Sequence, residues 1–331
     1  MAVTLKDVAT LAGVSRSAVS RTFTEGASVS DKTRAKVISA ADALGYSPNA
    51  LASSLTTGRT KMIGLVSNNF HNPIFLEVFD LFTKGLQARG LRPLLVNLTD
   101  EISPENSIRM LQAYSVDGVI VASSTLPASF AEAFKDAGMP VVHSFGRHSA
   151  HPKVNVLGID NIAAGRMAGA TLIARGYRQV AFLGGPETAT STQDRLAGFQ
   201  AALAGSGVAL SISFARNYSF DAGREEMLRL LQSAPAEAYF CGDDVLSIGA
   251  LSAIQTAGLR VPQDIGLIGL NDMEMAGWAN INLTTIHNPV AQIITSSIEL
   301  IEAALQDNNR APEARLFAAE IVERGTLRPL P

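Results

Sequence analysis

The sequence predicts a small helical headpiece of helix-turn-helix type joined to a two-lobed α/β body with doubly wound parallel sheets. Three observations carry that expectation. Two short helices separated by a glycine turn are written between Thr4 and Arg21. From Lys61 onward, short apolar runs alternate with longer stretches of helical periodicity, the pattern of βαβ units whose parallel sheet is covered on both faces. Charge divides at the same place. Residues 1–60 hold seven basic and four acidic side chains, net +3, which leaves −6 for the rest of a chain of net charge −3. A basic head on an acidic body directs phosphate contacts to the head.

Thr4 stands three residues before Asp7, a capping-box spacing that opens the first helix. Val8, Leu11 and Ala12 give that helix an apolar face, and Gly13 supplies the backbone freedom for a tight turn. Ser15 caps the second helix and Val19 buries it, which leaves Arg16, Ser17, Ser20 and Arg21 on its free face. Hydroxyls and guanidiniums on a short exposed helix suit a DNA major groove, although a helical hairpin with a solvated polar face shares the pattern. Ser30 caps a third helix with the apolar stripe Val37, Ile38, Ala41 and Leu44, closed by Gly45. Pro48 turns Ser47 away from helix, and Asn49 can cap a short segment to about Thr56 before Gly58 breaks it. Alone, so short a helix is marginal, since isolated helices need about 12–15 residues. By itself the segment reads as a tether.

In the body, strands are expected at 62–66, 93–96, 118–121, 140–143 and 154–159, with helices 73–89, 104–114 and 127–137 between them. The first of these helices sets Phe75, Val78, Phe79, Phe82 and Leu86 on one side. After Asp160 the alternation restarts. Helices 163–175, 195–204, 221–232 and 245–257 interleave with strands 180–183, 211–215, 238–241 and 265–270; helix 290–305 and a final strand 315–322 follow. Two lobes of similar build result, and open α/β sheets bind ligands beyond the carboxyl ends of their strands.

Several runs carry a likeness. Thr4-Leu5-x-Asp7-Val8-Ala9, Ala12-Gly13-Val14-Ser15, Val19-Ser20-Arg21, Val29-Ser30-x-Lys32-Thr33-Arg34, Gly45-Tyr46-x-Pro48-Asn49 and Ala52-x-x-Leu55 resemble the headpiece of the lactose-repressor (LacI/GalR) family of bacterial transcription regulators. The resemblance extends over nearly the whole chain. It implies a repressor that binds a near-palindromic double-stranded DNA operator as a homodimer. A small-molecule effector, a carbohydrate or related metabolite, would control it from a periplasmic-binding-protein-like body, with no cofactor. The implied domains are a DNA-binding unit at 1–46, a hinge helix and linker at 47–60, and an effector and dimerisation domain at 61–331. Its lobes would take about 61–159 with 289–314, and 160–287 with 315–331, the chain crossing near Asp160, His287 and Arg315. The chain ends without a heptad helix, which implies a dimer rather than a tetramer.

On the headpiece, the resemblance assigns operator choice to Arg16, Ser17 and Ala18, and Arg16 suits a guanine O6 and N7. Ser20 and Arg21 become general anchors, Thr4 and Asn49 phosphate contacts, and Ser15 and Ala52 further DNA-facing positions. Leu55 takes the place of a leucine that wedges into the minor groove, where an apolar side chain unstacks a base step. In the body, Arg195 resembles the family arginine that bonds effector oxygens, a role its planar fork of donors suits. Ser191, Phe75, Phe145, Asp160, Tyr218, Asp243 and Asn271 are the other effector candidates, with a core role rivalling for Phe75. Asp244 is expected to cap the helix after it. Three positions depart from the family. Asn271 stands where many members have aspartate, and Asp243 where relatives often have asparagine; Ser144 also replaces a carboxylate found in some. A sugar or sugar acid fits best, and a purine or another small metabolite stays open.

Other chemistry is not written here. P-loop, G-x-G-x-x-G and G-x-S-x-G runs are missing. His143, His148 and His151 lie close together but without a cysteine pair, and read as surface histidines rather than a metal site. Trp278 reads as packing. Cys241 is the only cysteine, so no disulfide forms within the chain. Neither a signal peptide nor an apolar run of about 20 residues is seen, which fits a cytoplasmic protein with no membrane partner. The competing reading is a ligand-binding protein or enzyme on the same two-lobed scaffold.

Overall fold

A computed structural model describes residues 3–24, 26–47, 54, 58–98 and 103–331. They form two compact units, Met1–Lys61 and Met62–Pro331. The expected hinge over 49–56 lies outside the described residues except for Ser54.

The first unit holds α1 (Leu5–Ala12), α2 (Arg16–Thr22) and α3 (Asp31–Leu44). Each begins at a hydroxyl cap. Thr4 and Asp7 close a reciprocal capping box, with the Thr4 amide donating to Asp7 Oδ2 at 2.8 Å. Ser15 Oγ accepts from the Ala18 amide at 3.2 Å, and Ser30 Oγ from the Thr33 amide at 3.3 Å. Gly13 and Gly45 end α1 and α3 in the left-handed conformation, at φ 64° and 65°. Val8, Ala12, Val19, Val37 and Ala41 meet in a small core. Two expected core residues stay out of it. Leu11 is 56% exposed and Ile38 44%, because each lies off the rows that Val8 with Ala12 and Val37 with Ala41 set up.

The second unit begins β1 (Met62–Ser67), α4 (Ile74–Ala88), β2 (Arg92–Asn97), α5 (Pro104–Ala113), β3 (Gly118–Ala122), α6 (Ala128–Asp136), β4 (Val141–Ser144) and β5 (Asn155–Ile159). It continues α7 (Asn161–Ala174), β6 (Gln179–Gly184), α8 (Thr190–Leu203), β7 (Ala209–Phe214), α9 (Phe220–Leu230), β8 (Ala238–Cys241), α10 (Asp244–Thr256) and β9 (Gly266–Asn271). It ends β10 (Thr285–His287), α11 (Val290–Gln306), β11 (Ala314–Phe317) and β12 (Glu320–Val322). Two six-stranded sheets form, in the orders β11-β5-β4-β3-β1-β2 and β12-β10-β9-β8-β6-β7. Each is the core of a lobe, and all pairings are parallel except β10 with β12.

The last crossing corrects the expected one. A single strand from Arg315 into the second lobe is not formed. Ala314–Phe317 pairs with Val156–Ile159 in the first sheet, and Glu320–Val322 runs antiparallel to β10 in the second. The chain changes lobes at Ala318 and Ala319, so Arg315 belongs to the first sheet. Helix α8 starts at Thr190, five residues before the expected Arg195, since its N-cap Ala189 has no capping side chain to announce it. Helices α7 and α8 pack backbone to backbone. A Cβ on Gly165 would run into the Arg195 carbonyl, and one on Gly198 into that of Ile162.

Three side chains differ from expectation or complete it. His143 is buried rather than on the surface, with Nε2 3.0 Å from the Ser123 carbonyl oxygen, whereas His148 and His151 are exposed as expected. It sits on β4, a strand covered on both faces. Trp278 stays 48% exposed after the 3-10 turn Glu274–Gly277. Cys241 is fully buried at the end of β8, where burial pushes its thiol up to about 12.

Burial holds the His143 imidazole down at about 4, against an ordinary value near 6.5. Between those values the unfolded chain binds the extra proton, so stability rises with pH across that range and is lost as pH drops. The stability advantage of the parent over His143→Gln is expected to shrink by up to about 3 kcal/mol as pH drops from 6.5 toward 4. Urea titrations of both proteins across that range measure it, and a constant difference would contradict the buried neutral ring.

Candidate functional site

Helix α2 carries the candidate DNA face. Val19 and Thr22 turn inward, while Arg16, Ser17, Ser20 and Arg21 are exposed and Ala18 is half-buried. Ser15 is exposed too, but its Oγ is engaged as the helix cap and lies 2.9 Å from Ser17 Oγ. Thr4 is likewise an exposed cap. Asn49, Ala52 and Leu55 lie outside the described residues.

The second unit contains a cavity between its lobes. It opens where both sheets end. Asn69, Ser124 and Phe145 follow β1, β3 and β4; Tyr218 and Asp243 follow β7 and β8; Asn271 closes β9. The first lobe contributes most of the apolar surface, from Ile74, Phe75, Val78, Phe145 and Ile159, with the polar Asn69, Asn72 and Ser124. The second contributes Asn161, Arg195, Asp243 and Asn271 with Tyr218, and Asn288 stands between the lobes. Phe145 reaches the cavity from a left-handed backbone, φ 65°, and Phe75 serves both readings, lining the cavity while its ring meets Phe79 at 5.8 Å.

Asp243 organises the polar side. Its Oδ2 accepts from Asn72 Nδ2 of the first lobe at 2.9 Å and from Asn271 Nδ2 at 2.8 Å; its Oδ1 accepts from the Val245 amide at 2.9 Å. Asn271 Oδ1 in turn accepts from Asn288 Nδ2 at 3.2 Å. The amide at 271 and the carboxylate at 243 thus form one hydrogen-bonded pair. Arg195, 3% exposed, donates from Nε to Asn161 Oδ1 at 2.8 Å and from Nη1 to the Gly242 carbonyl. Burial pushes the Asp243 carboxyl up to about 6, held back by the Val245 amide and the Arg195 charge. Burial likewise pushes Asp244 up to about 7.

The arrangement corrects three assignments. Asp160 is exposed and caps α7, accepting from the Ala163 amide at 2.9 Å; its neighbour Asn161 is the one at the cavity. Ser191 is buried behind Tyr218, 3.5 Å from its hydroxyl, and does not line the cavity. Asp243 caps α10, whereas Asp244 accepts from the Met273 amide and the Thr285 hydroxyl, tying β8 to β9 and β10. Tyr218 is at the cavity, its hydroxyl 2.6 Å from Thr192 Oγ1. Ser144 turns to Ser297 at 2.7 Å. Sequence reasoning missed Asn69, Asn72, Ser124, Asn161 and Asn288. Asn72 had a signal, standing before Pro73 at a helix start beyond a strand.

A helix-turn-helix unit with a two-lobed body closing on a polar cavity is the build of a ligand-binding transcription regulator. Residues 4–49 match the family described as bacterial regulatory proteins, lacI family, and residues 170–327 the periplasmic binding protein-like domain. The chain is 31% identical over 336 residues to the HTH-type transcriptional repressor PurR of Vibrio campbellii (strain ATCC BAA-1116), covering 99% of each. It is similar in structure to the lac repressor dimer bound to operator and the anti-inducer ONPF, with a TM-score of 0.87 at 26% identity over 98% of this chain and 99% of that one. A transcriptional regulator CelR–cellobiose complex gives a TM-score of 0.73 at 28% identity, with the same coverage. The chain belongs to the lacI family of bacterial regulatory proteins. It is a DNA-binding transcriptional regulator with a ligand-binding domain, and its relatives are repressors rather than enzymes.

Asp243→Ala strips the acceptor from two buried amides and the charge facing Arg195. A loss of about 2–4 kcal/mol is expected. Asp160→Ala removes only an exposed cap, at about 1 kcal/mol. Urea midpoints of the two variants separate the roles; equal losses would remove Asp243 from its organising place.

Proposed function

We propose that this chain is a cytoplasmic repressor that binds a near-palindromic operator as a homodimer and answers to a sugar or sugar derivative held between its lobes. The observation that carries the ligand class is the cavity lining. Asn69, Asn72, Asn161, Asn271 and Asn288 bring amides, which both donate and accept, as hydroxyls do. Facing them, Phe75 and Phe145 offer flat apolar surfaces to the carbon face of a ring. The CelR complex with cellobiose supports a carbohydrate, and the operator-bound lac repressor dimer supports the assembly. Among the described residues no helix is long and apolar enough to cross a membrane.

In this reading α2 enters the major groove, with Arg16, Ser17 and Ala18 choosing the sequence. Ser20 and Arg21 anchor it beside Ser15; Thr4, Asn49 and Ala52 support the contact, and Leu55 wedges the minor groove. Arg195 meets ligand oxygens with Phe75, Phe145, Tyr218 and the Asp243–Asn271 pair around it. Effector binding shifts the population between lobe arrangements, which changes whether the two headpieces of a dimer fit their half-sites.

One operator-binding assay against sugars, sugar acids and nucleobases tests the ligand class, and only a response to sugars or their derivatives supports it. DNA affinity should fall with salt by ~0.9 log units per log unit for each phosphate neutralised. Arg195→Ala is expected to keep operator binding and lose the effector response. An unchanged dose-response would take Arg195 out of the site.

A further inference from the structure

Helix α8 carries Arg195, yet its own sequence does not cap it. The N-cap Ala189 has no side chain able to accept from the first-turn amides, and such amides need partners. The partners come from the other lobe. The Ser191 amide donates to the Ser124 carbonyl at 3.2 Å and the Thr190 amide to the Thr125 carbonyl at 3.5 Å; Thr190 Oγ1 donates to the Ser124 carbonyl at 3.0 Å. Both acceptors lie just beyond β3 of the first lobe.

Beside them stands Arg147, three residues after β4. Its guanidinium forks onto Asp194 of α8, Nε to Oδ2 at 2.8 Å and Nη2 to Oδ1 at 2.7 Å. Nη2 also reaches the Thr190 carbonyl and Gln193 Oε1, each at 3.1 Å. The side chains are 39% and 19% exposed, so the charge attraction alone is modest. The geometry is specific, because a planar fork fixes orientation as well as distance. Neither Arg147 nor Asp194 lines the cavity between the lobes.

We propose that Arg147 and the Ser124–Thr125 carbonyls form a latch that closes the lobes beside the ligand cavity, by capping α8 across the cleft, with the Arg147–Asp194 fork itself off the cavity lining. Arg147 is then a positioning residue for Arg195, acting through Asp194 and the first turn of α8. Opening the lobes uncaps that turn, so helix order and cleft closure are one equilibrium. The latch rests on contacts between the lobes and holds whichever molecule the cavity takes. It provides part of the closing free energy before any ligand binds, and so sets how strongly a ligand must favour the closed arrangement.

Amide hydrogen exchange on the full-length protein, without added ligand, reads the latch directly. In Arg147→Ala, exchange at Thr190 and Ser191 is expected to rise on the order of three- to tenfold, while amides at 198–203 of the same helix keep their rates. Arg147→Lys keeps the charge but not the fork, and should fall between. Unchanged protection at Thr190 and Ser191 would overturn the proposal. So would acceleration spread evenly along α8, which marks general loosening. Neither outcome bears on whether a sugar occupies the cavity.

Discussion

A buried carboxylate holds the cleft in register. Asp243 draws an amide from the first lobe, an amide from the second and a backbone N–H from its own helix onto two oxygens. Taking such a group out of water is costly, and the neighbouring Arg195 with those three donors is what offsets it. The result is a rigid polar floor whose parts come from opposite sides of the cavity. Asn72 reaches Asp243 across 171 positions of sequence, so the floor exists only when both sheets are formed and facing. Arg195 is held within the second lobe, by Asn161 and by the Gly242 carbonyl that adjoins Asp243. The glycine contacts between α7 and α8 then fix where its guanidinium can stand.

Local chemistry was legible and long-range chemistry was not. Hydroxyl caps at Thr4, Ser15 and Ser30 gave the headpiece helices their starts, because the cap and the amide it satisfies lie three residues apart. Most body strands were readable as apolar runs between helices of clear period. The start of α8 was not, since its caps are carbonyls at 124 and 125. Strand β10 has three residues, too few to show alternation, and β11 and β12 read as one run because nothing at Ala318 and Ala319 signals a change of sheet. In the site, charged and aromatic candidates were found, with Arg195, Phe75, Phe145, Tyr218, Asp243 and Asn271 brought together. The asparagines other than Asn271 were passed over, for an amide in a loop looks the same whether it faces water or a cavity. Asp160 and Asp244 show the converse. An acidic residue at a strand end serves a helix cap or a neighbouring strand as readily as a ligand.

The walls of the cavity come from both lobes. The first lobe supplies most of the aromatic and aliphatic surface through the start of α4 and the end of β4, together with Asn69, Asn72 and Ser124; the second supplies Arg195, Asp243 and Asn271 with Tyr218. A ligand between them touches both lobes at once, so recognition and closure are coupled. The latch at Arg147 adds a second coupling, through a fork onto Asp194 that is not part of the cavity lining.

The interleaved path of the chain has a consequence for its synthesis. Strand β5 is complete at Ile159, but its outer neighbour β11 begins at Ala314. At ribosomal rates of about 5–20 residues per second, that edge waits on the order of ten seconds for its partner. The second sheet waits in the same way for β12. Each nascent lobe therefore presents an open, apolar strand edge until β11 and β12 emerge, the kind of surface that chaperones hold and that aggregation exploits. The headpiece, compact and contiguous from residue 4 to Tyr46, needs none of those residues to bury its core.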